Sequence, residues 1–156
     1  MPSVGYEGAA TPHSLRKSDY PVLRAVSLRW ADVDTYGHVN NAVHYALMDT
    51  AINGWLVEAT GTDIRTLTGF GVVAETSCRY LREIHFPAEV IVGIRLERVG
   101  HSSVRYEVGF FVDDQGPAAV ARFVHVYVDH RSRQPVDIPP QVRVVLDELG
   151  RVTPVD

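Results

Sequence analysis

RWADVDTYGHVNNAVHYALMDTA, residues 29–51, is the stretch from which the rest of the chain can be read. It opens as a strand end, Leu28-Arg29-Trp30. It then gathers Asp32, Asp34, His38, Asn40 and Asn41 within ten residues, broken by Gly37. A long apolar run without proline follows, and Gly54 is the only glycine before Gly61. This pattern predicts a helix from about Asn41 to Thr60, with Asn40 or Asn41 as N-cap and Gly61 just past its end. Ala42, Val43, Tyr45, Ala46, Leu47, Met48, Ala51, Ile52, Trp55 and Leu56 cover most of the circumference. A helix apolar nearly all round is buried, and in a short chain a sheet must wrap it. The polar residues therefore lie on a loop entering a helix N-terminus, where free N–H groups and the helix dipole favour developing negative charge.

Outward from this stretch the sheet can be read. Residues 21–30 alternate as a first strand, with Val22, Arg24, Val26, Leu28 and Trp30 on one side. Residues 72–81, 89–99, 104–113 and 118–129 are rich in Val, Ile, Phe and Tyr and read as four more strands. Gly100-His101-Ser102 and Asp114-Gln115-Gly116-Pro117 supply the turns of two hairpins. Gly93 and Gly109 inside strands imply curvature or a close backbone approach. The order β-α-β-β-β-β gives an α+β architecture, one long buried helix wrapped by a curved antiparallel sheet of about five strands. Residues 1–18 read as a flexible leader, 19–138 as one domain, and 139–156 as a tail with a short helix over 142–149.

A chain of 156 residues with 46% hydrophobic residues fills one core. A net charge of −4 and a pI near 5.9 leave no basic field for nucleic acid. No run reaches the length of a membrane span and no signal segment opens the chain, so a cytoplasmic location is expected. The single cysteine, Cys78, excludes an internal disulfide and reads as a half-buried strand residue.

The run D-x-D-x-x-G-H-V-N-N from Asp32 to Asn41, followed by an apolar helix, resembles the signature of hotdog-fold acyl-CoA thioesterases of the 4-hydroxybenzoyl-CoA thioesterase type. It is also similar to the catalytic segment of plant acyl-ACP thioesterases. VVAETSCRYLREIHF (72–86) and VGHSSVRY (99–106) resemble the family's second strand and central hairpin, so the likeness covers roughly residues 22–130. It implies hydrolysis of an acyl-CoA thioester, no cofactor, and a homodimer or homotetramer with the site at the subunit interface.

Hydrolysis of a thioester needs a nucleophile or a base that activates water, and a holder for the oxyanion. Asp34, before the helix, suits the first need, and the resemblance assigns it that role. The Asn41 N–H suits the second, and Asn40 beside it is a candidate substrate contact. Asp32 reads as orienting the loop. His38 is either a base or water holder near Asp34, or a residue fixing the Gly37 turn. His44 reads as a partly exposed helix residue, and Asp49 must be hydrogen-bonded or reach an interface edge. Glu75, on the second strand, is the reserve carboxylate. The resemblance puts the pantetheine arm between subunits and the CoA phosphates near the central hairpin, making His101, Ser102 and Ser103 substrate contacts, with Arg131 and Arg133 behind them. The seven histidines are scattered in the sequence without helical metal spacing, so no metal is expected. The alternatives are an acyl-ACP thioesterase and a non-catalytic acyl-CoA-binding hotdog module.

Overall fold

The computed structural model describes residues 11–152. Its elements are β1 (Val22–Ser27), α1 (Val43–Thr60), β2 (Phe70–Tyr80), β3 (Glu89–Val99), β4 (Ser103–Phe111), β5 (Ala119–Val128) and α2 (Pro140–Val152). All sheet pairs are antiparallel, in the order β1-β3-β4-β5-β2. This is the hotdog architecture expected from the sequence, with α1 packed on one face of the curved sheet in the larger of two apolar clusters. Among the described residues no helix is long and apolar enough to cross a membrane.

The helix starts at Val43, two residues later than expected. The Asn40 side chain accepts from the Ala42 N–H at 2.9 Å, which holds residues 40–42 in a turn rather than in the helix. Burial of α1 is one-sided, correcting the expectation of burial all round. His44, Leu47, Met48, Ala51, Ile52, Trp55 and Leu56 face the sheet at i, i+3, i+4 spacing. Asp49, Thr50, Val57 and Glu58 are exposed, because the five strands cover only one side. Each large apolar side chain buried this way contributes about 1.5–3 kcal/mol.

The opposite face of the sheet has its own anchor. Gly93 and Gly109 are directly paired across β3 and β4. A Cβ at Gly93 would lie 2.6 Å from Tyr20 Cγ, and one at Gly109 would lie 2.9 Å from the same ring. The glycine pair thus leaves room for Tyr20, which packs with Leu15 and Phe111 and donates to Glu107 at 3.0 Å. Packing therefore begins inside the stretch expected to be a leader. Residues 1–10 of that stretch lie outside the described residues. The tail helix is longer than expected and buries Val142, Val145, Leu146 and Leu149 in the core.

Strands β1 and β2 are the sheet edges. On β2, Val73 and Tyr80 stand 49% and 43% exposed. At the Phe70 end of β2, Asn53, Ile64, Arg65, Phe70, His125 and Tyr127 line a cleft of about 150 Å³. His125 is 2% exposed, and its Nδ1 has no partner among the described residues.

Candidate active site

The loop from Arg29 to Ala42 is fastened at several points by its own sequence. Residues 30–32 form a 3₁₀ turn in place of the expected strand end. The Asp32 carboxylate accepts from the Arg29 N–H at 2.7 Å and from its guanidinium at 2.8 Å. That guanidinium and the backbone N–H hold the Asp32 carboxyl below its ordinary range. Asp32 is buried and its carbonyl accepts from the Asn40 N–H at 2.8 Å, so it orients the loop, as its position suggested.

Asp34 and His38 face each other across a tight turn. The Asp34 N–H donates to the His38 carbonyl at 2.8 Å, and Asp34 Oδ1 accepts from the N–H groups of Tyr36 and His38 at 2.9 and 3.2 Å. Gly37 supplies the left-handed φ of 82° that closes the turn. One carboxylate oxygen of Asp34 thus fixes the turn. The other has no donor among the described residues. Asp34 is half-buried. The His38 imidazole is engaged by Glu83, with Nε2 2.9 Å from Glu83 Oε2. It is the His38 backbone that serves the Gly37 turn.

Asn41 follows at the helix start. Its carbonyl accepts from the Tyr80 hydroxyl at 2.9 Å. His44 Nδ1 lies 3.2 Å from that carbonyl and 3.3 Å from the carbonyl of Asn40. Both partners are acceptors, so Nδ1 carries the proton. Burial pushes His44 below its ordinary pKa, against those two bonds, and favours the neutral ring. The His44 ring packs edge-on against Tyr80 and Phe110. The Asn41 carbonyl is therefore held from two sides, while its N–H has no acceptor among the described residues.

His44 and Tyr80 are the residues that sequence reasoning missed in this role. His44 is 4% exposed, correcting the expectation of a partly exposed residue. Its place in an apolar run, i+3 from Asn41, is the available signal. We expect Tyr80→Phe to lower kcat roughly tenfold with KM little changed, because losing the anchor on the Asn41 carbonyl loosens the turn whose preceding peptide carries the Asn41 N–H. An unchanged kcat in a folded Tyr80→Phe variant would remove the positioning role.

The remaining candidates lie elsewhere in the chain. Glu75 is exposed in mid-β2, about 17 Å along the strand from Tyr80. His101, Ser102 and Ser103 lie at the far end of the sheet, about 24 Å along β4 from Phe110. Their carbonyls anchor neighbouring chain: that of His101 accepts from Ile138, that of Ser102 from Tyr127 and that of Ser103 from Gly100. Arg131 and Arg133 follow β5 at that same end, with Arg133 over the Phe70 ring. Asp49 is exposed and accepts from Asn53 at 3.0 Å. Burial pushes the Cys78 thiol up to about 11, which leaves no thiolate nucleophile at neutral pH. The histidines are less scattered in space than in sequence, since His38 and His85 meet across a β-bridge.

Residues 28–146 match the family described as the thioesterase-like superfamily. A Pseudomonas aeruginosa protein of known crystal structure is 41% identical, with a TM-score of 0.82 over 86% of this chain and 94% of that one. A thioesterase from Thermus thermophilus, crystallised with coenzyme A and zinc, is 29% identical, with a TM-score of 0.71 over 88% and 98%. A 1,4-dihydroxy-2-naphthoyl-CoA thioesterase from Synechocystis shares the fold at 13% identity, with a TM-score of 0.74 over 82% and 96%. No curated protein matches the chain.

Proposed function

The chain belongs to the thioesterase-like superfamily, and from that premise we propose that it hydrolyses an acyl-CoA thioester to the free acid and CoA. The observation that carries this reading is the loop geometry. A carboxylate with one committed and one free oxygen precedes a helix start where His44 Nδ1 holds the Asn40 carbonyl of the peptide whose Asn41 N–H is unpaired among the described residues. Asp34 would attack the thioester carbon or activate a water, and the Asn41 N–H would hold the oxyanion. The relative crystallised with coenzyme A supports CoA as the carrier. The acidic net charge speaks against an acyl carrier protein, itself acidic, as the partner.

Pairing of two chains along β2 completes the reading. An exposed edge strand is a template for association, and a two-fold pairing is self-complementary. Antiparallel β2–β2 contact brings the Phe70 end of one chain beside the Tyr80 end of the other. Asp34 of one protomer would then face the partner's cleft and the partner's central hairpin. That arrangement gives His101, Ser102 and Ser103 access to the CoA portion, although they are remote from Asp34 within a chain.

A panel of short, medium, long and aromatic acyl-CoAs, with detection of released thiol, tests the activity. We expect turnover of at least one class and a dimer or larger species by light scattering at micromolar concentration. A stable monomer with full activity would defeat the shared site. Tight binding of an acyl carrier protein, with no calorimetric signal for CoA or a non-hydrolysable acyl-CoA, would overturn the substrate assignment.

A further inference from the structure

Beside the loop carrying Asp34 lies a cluster whose side chains take no direct part in the proposed hydrolysis. His38 and His85 sit opposite each other in an antiparallel bridge, and the neighbouring Val39 N–H donates to the Ile84 carbonyl at 2.8 Å. Residues paired this way hold their Cβ atoms about 4.5–5.5 Å apart on one face. Glu83 lies two residues before His85 and shares that face by the strand period. Ile84 between them points into the core at 2% exposure, which locks the alternation. His38 Nε2 is 2.9 Å and His85 Nε2 3.9 Å from the same oxygen, Glu83 Oε2. The three ligand atoms all lie within 4.8 Å of one another.

We infer that His38, Glu83 and His85 form a binding site for a divalent cation of the zinc type. Two imidazoles and one carboxylate are a donor set that zinc accepts, with a fourth position open to water. Zinc bonds of about 2.0–2.1 Å require ligand atoms about 3.4 Å apart in a tetrahedron. His38 to Glu83 is already inside that spacing, and His85 needs a short rotation. Glu83 and His85 have side chains 62% and 65% exposed, so they are free to make it. His38 is the more fixed member, because its backbone bonds both ways to Asp34. A bound cation would thus be tied through His38 to the loop carrying Asp34. The site stands on its own geometry and goes beyond the proposed hydrolysis.

The full chain, stripped with a chelator and dialysed, is titrated with zinc by calorimetry and with cobalt(II) by visible absorption. We expect one ion per chain and the intense d–d bands of a four-coordinate cobalt site. His85→Ala and Glu83→Gln should each weaken zinc by at least the ~10–100-fold that even an outer-shell partner is worth. Asp147→Asn, an exposed acid on α2, serves as the control and should bind as wild type. Asp34→Asn should also bind zinc, so loss of turnover and loss of the metal site are read separately. Millimolar binding only, or His85→Ala binding as tightly as wild type, overturns the inference.

Discussion

Asp34→Asn is expected to lower kcat at least ~100-fold with little change in KM. A positioned base is worth about 10²–10⁴-fold in rate, and a nucleophile more. A loss in kcat alone is the sign of an interaction made in the transition state. The geometry makes this substitution clean. Asn retains an Oδ1 acceptor, so the bonds from Tyr36 and His38 that close the turn can persist. What disappears is the charge and basicity of the uncommitted oxygen. His38→Ala should cost only about tenfold, since its imidazole is directed at Glu83 and its backbone does the structural work. Glu75→Gln is the control on the edge strand. Turnover lost in Glu75→Gln and kept in Asp34→Asn would move the catalytic carboxylate to β2. Wild-type behaviour in all three would make the chain a binding module.

Acid should destabilise the fold through His125. Burial holds its ring down to about 4, against about 6.5 for an exposed histidine. Its surroundings are the rings of Tyr106, Phe123 and Tyr127, with no carboxylate among its ring contacts. Between those two values the unfolded chain takes up a proton that the folded chain refuses. The stability contribution is complete above about pH 6.5 and is lost as pH falls towards 4. The full difference is about 3 kcal/mol, with a slope approaching 1.4 kcal/mol per pH unit within the window. His44, lowered by the same cause, acts in the same direction. Urea unfolding from pH 7 to 4.5 should show this slope in the wild type and a shallower one in His125→Phe, which keeps an aromatic ring and removes the proton site. Parallel curves for the two proteins would mean that His125 charges readily in the folded state.

The contrast between what is legible in the sequence and what is not follows interaction range. Strand β3 runs over the residues that its Val and Ile content marks, because strand preference is written locally. The glycines within β3 and β4 announce a close approach, but not that Tyr20 fills it, since that contact spans more than seventy residues of sequence. The helix start reads two residues too early because an Asn side chain that closes a turn looks like an Asn that caps a helix. Asp34 and Asn41 can be singled out because one short segment carries both. Tyr80 and Glu83 cannot, because their relation to that segment exists only once β2 and its exit lie beside the loop. One-sided burial of α1 is unreadable for another reason: an apolar sequence marks what can be covered, whereas the number of strands decides what is.

Under the proposed hydrolysis, the fastening of residues 29–42 would tie the protein's durability to its speed. Asp32, Asp34, Asn40 and Tyr80 restrain the loop before any substrate arrives, so its conformational entropy is surrendered during folding and not during binding. The encounter complex then needs to order little more than the substrate itself. The same bonds count towards the free energy of the native state. With Asp34 and Asn41 in the proposed roles, substitutions that loosen this loop would forfeit stability and turnover together, closing off the usual exchange of one for the other in this part of the chain.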